Sequence, residues 1–234
     1  MEFLGIACLV VMFFCFTMYL TGRNKSRIVA AAAVAKIGDA HGLCLVSGTA
    51  DAASHLVSPY GQEKCLCYET MIEYWDEISF SDSQESGEWR MVMHDHKQVS
   101  FQINDGTGRL IVNPARAEME LFWSVNQIFG GSRKKSALPE RLLALVGFRA
   151  GGWPANTRFR VQEKLLRAGE VVSVVADIGT QGMNKCAGVI SGQEQFFLAT
   201  GKPKRFIMQT KRVSRFYLVS GWLVTALFVL LLVS

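Results

Sequence analysis

The sequence predicts a mainly β (α+β) domain, an OB-like β-barrel or sandwich with a helical insertion, flanked by two transmembrane helices. Three observations lead there. An uncharged apolar run lies near each end of the 234 residues, short β-branched and aromatic runs fill the space between, and turn residues separate those runs.

The first apolar run, Phe3 to Leu20, reads FLGIACLVVMFFCFTMYL, and the last, Phe216 to Val233, reads FYLVSGWLVTALFVLLLV. Each is close to the ~20 apolar residues that cross a bilayer core. Two helices buried in a soluble core are the blander reading, but such purity at both extremes is unusual there. A cleaved signal peptide needs a basic start and a small-residue cleavage site. Here Glu2 is the only charge before the run and no A-x-A follows it, so an uncleaved helix is expected. The second run ends one residue before Ser234, so no further domain is expected after it. Within the runs the polar residues are Thr17, Ser220 and Thr225, none ionisable, which does not suit a transporter. Ser220, Gly221 and Ala226 would allow a close helix contact, and a homo-oligomer is one expectation.

Every Lys and Arg lies between the two runs, with Arg23, Lys25 and Arg27 after the first and Lys202, Lys204, Arg205, Lys211, Arg212 and Arg215 before the second. Basic flanks stay on the cytoplasmic side of membranes. The expectation is therefore a two-pass protein with its β domain in the cytoplasm, of a bacterial inner membrane or else an organelle. The same flanks account for the net charge of +5 beside anionic headgroups. No basic helix or aromatic–basic repeat argues for nucleic acid, so none is expected as a partner. The six cysteines show no disulfide spacing, which suits a reducing compartment.

The domain between the runs is expected over 28–212. Ile28 to Ile37 is Ala-rich and predicts a helix ending at Gly38. Strand-like runs follow at Leu43–Thr49, Cys65–Trp75, Trp89–His94, Val99–Ile103, Arg109–Asn113, Arg158–Glu163, Val171–Asp177, Cys186–Ser191 and Phe196–Ala199. Asp105-Gly106-Thr107-Gly108 predicts a tight turn between two of them. Ser79 to Glu88 is polar and reads as an exposed loop. Ala115–Phe129 and Ser136–Phe148 predict a helical insertion at about 115–148, joined by the basic link Gly130–Lys135.

Some of these segments resemble a known family. Ser58-Pro59-Tyr60-Gly61 with Cys65, Tyr68 and Glu69 is similar to the S-P-x-[SG]…C-x-x-Y segment of GIDE domains, also called beside-a-membrane (BAM) domains. Phe101 to Gly108 resembles that family's F-x-[IL]-x-D-x-[ST]-G turn, with Asp105, Gly106 and Gly108 in place. Glu163 to Val171, with Glu163 and Gly169, resembles its E-x-x-[IL]-x-x-G-[DE]-x-[VY] segment. The resemblance implies a domain between two membrane helices, as in mitochondrial outer-membrane E3 ubiquitin ligases, where the domain faces the intermembrane space. In those ligases a RING finger follows the second helix. A RING holds zinc through C-x2-C pairs, and no such pair occurs here. The chain therefore resembles the RING-less, prokaryotic-type members, and the ligase activity does not carry over.

No nucleophile-elbow, P-loop or dinucleotide motif is present. His94 and His96 share a strand face at i and i+2 and are the candidate metal ligands, with His41, His55 or a carboxylate as a third; an exposed strand end is the blander reading. Cys65 and Cys67 would likewise share a face and read as buried, inert thiols. No catalytic residue and no cofactor is expected. The function expected is a membrane-tethered scaffold that contacts unidentified protein partners and the lipid bilayer, with Ser79–Glu88 and Gly130–Lys135 as contact loops. The alternatives are a membrane-anchoring component of a ubiquitin-like ligase system, and a metalloenzyme built on His94 and His96.

Overall fold

The computed structural model of the chain describes residues 16–17, 19–20, 22–77, 87–130, 140–147, 157–181, 184–190, 196–204 and 207–208. Among them no helix is long and apolar enough to cross a membrane. The apolar run 216–233 lies outside the described residues. So does most of 3–20, whose described residues 16–17 and 19–20 are helical.

Alternating burial builds a closed five-stranded barrel from β2 (Gly42–Asp51), β7 (Phe101–Asn104), β8 (Arg109–Val112), β12 (Val171–Gln181) and β13 (Asn184–Gly188). In β7 and β8 every second side chain is buried, with Phe101, Ile103, Leu110 and Val112 inward. β2 pairs antiparallel with β7, β7 with β8, β13 with β12, and β12 back onto β2. The ring closes through a parallel pairing, Lys185↔Leu110, between β8 and β13. Closure leaves these five strands without a free edge between them. Gly48 sits where β2 crosses the end of β7: a Cβ there would stand 2.7 Å from the Asn104 carbonyl oxygen. Gly48→Ala should therefore cost about 2 kcal/mol by overpacking, measured by denaturant unfolding.

The turn from β7 to β8 is the predicted Asp105–Gly108. Gly106 takes φ +87°, open to glycine at no steric cost. Asp105 Oδ1 accepts from Thr107 N–H at 2.9 Å and the Thr107 hydroxyl at 2.7 Å, while Oδ2 accepts from Ile37 N–H at 2.8 Å. Burial by itself raises the Asp105 pKa, but the hydrogen bonds from Ile37, Thr107 and Gly108 together outweigh it and hold it below the ordinary value. A depressed folded-state value stabilises the protein above the unfolded pKa of about 3.9, and the contribution is lost as pH falls through the folded value. The stability gap between wild type and Asp105→Asn should thus be present at neutral pH and shrink toward pH ~2. Unfolding midpoints at both pH values measure it, and an equal gap would contradict the role.

The two long barrel connections supply a second layer. The segment from β2 to β7 carries β3 (Leu56–Val57), β4 (Lys64–Cys65), β5 (Cys67–Glu77) and β6 (Gly87–Gln98). The segment from β8 to β12 carries β9 (Ala117–Glu120), β10 (Phe122–Phe129), α2 (Glu140–Val146) and β11 (Phe159–Leu166). β10, β11, β5 and β6 form an antiparallel sheet in that order. Its inner face is covered by α2, with Ile72, Phe159, Val161 and Leu142 buried together. It joins the barrel where Leu66 N–H donates to the Leu166 carbonyl at 2.7 Å, and both side chains enter the barrel core.

Three expectations change. Residues 115–129 are not helical: a short 3-10 turn, Pro114–Arg116, leads into β9 and β10. Val125 and Phe129, four apart, fit one helix face, but they fit one strand face equally well. Pairing with β11 and the aromatic content of β10 decide for strand. The helical insertion over 115–148 is thus reduced to α2, with 131–139 and 148–156 outside the described residues. The Ala-rich helix α1 (22–31) stops short of Ile37: β1 (Ala33–Val34) pairs with β2, and Ile37 is buried in the core. Predicted loop 79–88 is cut at its end, because Gly87 and Glu88 begin β6; residues 78–86 lie outside the described residues.

α1 leans on the barrel flank where β14 (Phe196–Thr200) pairs with β12 and, in parallel, with β9. Lys25 Nζ reaches Glu118 and Glu120 of β9, each at 2.6 Å, and lies 5.1 Å from the Phe197 ring centroid. Ile28 from α1 and Ile207 from beyond β14 both pack against the barrel core. The described residues Ile28 and Ile207, between the barrel and the two apolar runs in sequence, are therefore both held on the barrel.

Candidate functional site

Apart from Gly169, the family-type residues gather in two places, and both serve the fold. Glu163, on β11, is completely buried. It accepts hydrogen bonds from the Ser58 hydroxyl at 2.9 Å, Tyr60 N–H at 3.0 Å, Gly61 N–H at 2.9 Å and the Thr70 hydroxyl at 2.9 Å. The Ser58-Pro59-Tyr60-Gly61 bend is a small nest of donors wrapped on an internal carboxylate. Arg167 closes the outside of this knot through Glu63 at 2.6 Å and Glu170 at 3.1 Å. Beside it, burial raises the Cys65 thiol to about 11 and the Cys67 thiol to about 12, so both are protonated at neutral pH. The Tyr68 hydroxyl donates to Asp95 at 2.7 Å. Burial, then that bond, raises its pKa. The second place holds Asp105, Gly106 and Gly108 in the β7–β8 turn. Gly169 stands apart in the β11–β12 turn at φ +84°, its N–H donating to the Ala50 carbonyl at 2.8 Å. A fully paired, solvent-excluded Glu163 has no free lone pair to offer chemistry.

A groove of about 920 Å³ runs over β2 and β7, lined by Thr49, Asp51, Gln102, Asn104, Arg109 and Lys202 among others. Arg109 and Lys202 share that lining with Asp51 and Asp105, which gives no uniform sign for a polyanion.

The outer face of the four-stranded sheet is different in kind. Antiparallel register lays its side chains in rows: Trp123–Lys164–Glu69–His96, Asn126–Gln162–Met71–His94, Ile128–Arg160–Glu73–Met91, and then Arg158 beside Trp75 and Trp89. Trp75 and Trp89 meet edge to face at 5.3 Å. Arg158 sits 5.6 Å from the Trp75 ring and Arg160 4.6 Å from the Trp89 ring. Arg160 also pairs with Glu73 at 2.6 Å, and Lys164 stacks on Trp123 at 4.5 Å. Trp123 is 47% exposed, Met91 59% and Ile128 60%. Trp, Met and Arg are the residue types enriched where proteins bind proteins.

His94 and His96 lie on this face with rings 5.7 Å apart, side by side as their spacing predicts. His94 Nε2 is 3.4 Å from Glu69, whose other oxygen takes Lys164 at 2.8 Å. Burial raises the Glu69 pKa, but Lys164 and His94 more than offset it. Among the described residues no group of three or more His, Cys, Asp and Glu is arranged to hold a metal ion.

The two contact loops picked from sequence, Ser79–Glu88 and Gly130–Lys135, leave the same end of this sheet, next to the Trp75–Trp89–Arg158 row. Their tips lie outside the described residues. The sequence reading missed the tryptophan–arginine face itself. Its signal is the alternation Glu69, Met71, Glu73, Trp75 and Arg158, Arg160, Gln162, Lys164, one residue in two along neighbouring strands.

No curated protein and no solved structure matches the chain. A family model does, described as GIDE, E3 ubiquitin ligase, over residues 73–232. That span takes in the Asp105–Gly108 turn, Glu163 and Gly169, β10 and β11, and the second apolar run up to residue 232, and it begins after the Ser58–Glu69 segment. The match covers more than half of the sequence, and the chain belongs to the GIDE family.

Proposed function

We propose that this chain is a membrane-tethered, non-enzymatic interaction module whose partner protein docks on the outer face of β10, β11, β5 and β6. The observation that carries the reading is the exposed row set of Trp123, Ile128 and Met91 with the Trp75–Trp89–Arg160 stack. Burying such side chains against a partner supplies apolar area and desolvated cation–π pairs. The tether is supported by the two apolar runs and by the barrel flank that fastens α1 and the stretch after β14. The basic flanks support a cytoplasmic domain. A cysteine placed at exposed Asn104 should then resist an impermeant maleimide in intact cells and react after lysis.

A photo-crosslinking residue at Met91 or Ile128 tests the face in native membranes. Adducts with another protein from these positions, and none from Arg116 on the barrel, are the expected result. Adducts from neither sheet position would reject it. A second reading, a membrane-anchoring part of a ubiquitin-like ligase whose catalytic subunit is a separate protein, is supported by the family description. A RING protein among the adducts selects it.

A further inference from the structure

The four-stranded sheet has two edges, and they are built differently. The edge strand β6 carries Glu88, Arg90, Asp95 and Lys97 along its 12 residues, with His94 and His96 between them. Charges on an edge strand prevent unwanted pairing. The opposite edge, β10, reads FWSVNQIF and has neither a charge nor a proline in its 8 residues. Past an irregularity between Trp123 and Val125, its register with β11 runs unbroken from Val125↔Glu163 to Phe129↔Phe159. Among the described residues no strand pairs with the far side of β10.

We propose that β10 is a self-association edge, where the β10 strand of a second copy of this chain pairs antiparallel and joins two four-stranded sheets into one. The inference rests on reading this sheet as an interaction surface, and it names one occupant for its edge. Neutrality suits that occupant: an uncharged strand meets its own copy with no like charges opposed. A two-fold antiparallel pairing also brings the Trp123 end of one copy toward the Ile128 end of the other. Both exposed apolar side chains gain cover, and aromatic–β-branched pairs across strands are favourable. Backbone hydrogen bonds then supply affinity in the manner of strand addition.

The test uses the full chain, in native membranes and then in detergent. Wild type should run at twice the chain mass by light scattering after correction for detergent. Ile128→Lys, at a site exposed enough to accept the charge, should run at the single-chain mass with an unchanged unfolding midpoint. Met91→Lys, on the β6 edge, should leave the dimer intact. Asn126→Cys, at the centre of a pairing that sets Trp123 toward Ile128, should give an oxidant-dependent covalent dimer in membranes beyond the background from the native cysteines. A single-chain wild type, or a dimer that survives Ile128→Lys, would overturn the proposal. So would loss of the dimer in Met91→Lys as well. If photo-adducts with another protein still form on the sheet face of a monomeric chain, self-pairing fails while the interaction-module reading stands.

Discussion

Replacing Glu163 with alanine is expected to destabilise the domain by about 4 kcal/mol, the largest effect of any single substitution considered for the fold. The side chain is completely buried and serves four donors at once: two hydroxyls, from Ser58 and Thr70, and two backbone N–H groups, from Tyr60 and Gly61. Each donor left unpaired in a dry site costs about 1–3 kcal/mol, and water entering the cavity recovers part of the sum. The N–H groups are the harder loss, because a hydroxyl rotates to a new partner and an amide cannot. Glu163→Gln keeps one acceptor oxygen but turns an NH2 toward donors, so it should fall between wild type and alanine. Thr70→Val removes one donor and its bond together and should cost only about 1 kcal/mol. Thermal unfolding of the detergent-solubilised chain, followed by tryptophan fluorescence, ranks the three. A change below about 1 kcal/mol for Glu163→Ala would mean that the Ser58–Gly61 bend holds its shape without the carboxylate.

The second large effect falls on binding. Trp89→Ala removes the ring that Arg160 stacks on and that Trp75 meets edge to face, so the Arg160 guanidinium loses its platform. Truncating a central aromatic of this kind commonly costs at least 2 kcal/mol of binding, roughly 30-fold in affinity. Trp123→Ala, at the exposed corner of the same face, should cost less, because the Lys164 that stacks on its ring keeps its ion pair with Glu69. Recovery of the crosslinked partner from membranes measures both. Equal recovery from wild type and Trp89→Ala would place the partner elsewhere on the molecule.

Much of the barrel was legible because its strands alternate cleanly. FQIN and RLIV bury every second residue, and Asp105–Gly108 can only turn between them. β14 was found as an apolar run for the opposite reason: all five of its residues are buried. The closing contact was not legible. Leu110 and Lys185 pair in parallel across a long stretch of chain, and no local pattern announces such a pairing. β10 was misread because Val125 and Phe129 satisfy helix and strand spacing alike, and the deciding partner, β11, lies beyond α2. The Glu163 knot was half visible. The Ser58 bend and the Glu163 segment were each singled out, yet their union depends on β5 bringing Thr70 between them. The tryptophan–arginine face was hidden for the same reason, since its rows draw on four strands that the sequence keeps apart.

The proposed role of that face is to dock a partner protein. The most direct measurement crosslinks a tagged full-length chain in its native membrane, purifies it, and quantifies what is recovered from wild type and from Trp89→Ala side by side. A protein recovered in near-equal amount with wild type and lost by an order of magnitude in the folded Trp89→Ala variant is the result expected. Recovery of the chain alone from wild type, or of the same partner in undiminished amount from the variant, would contradict the account.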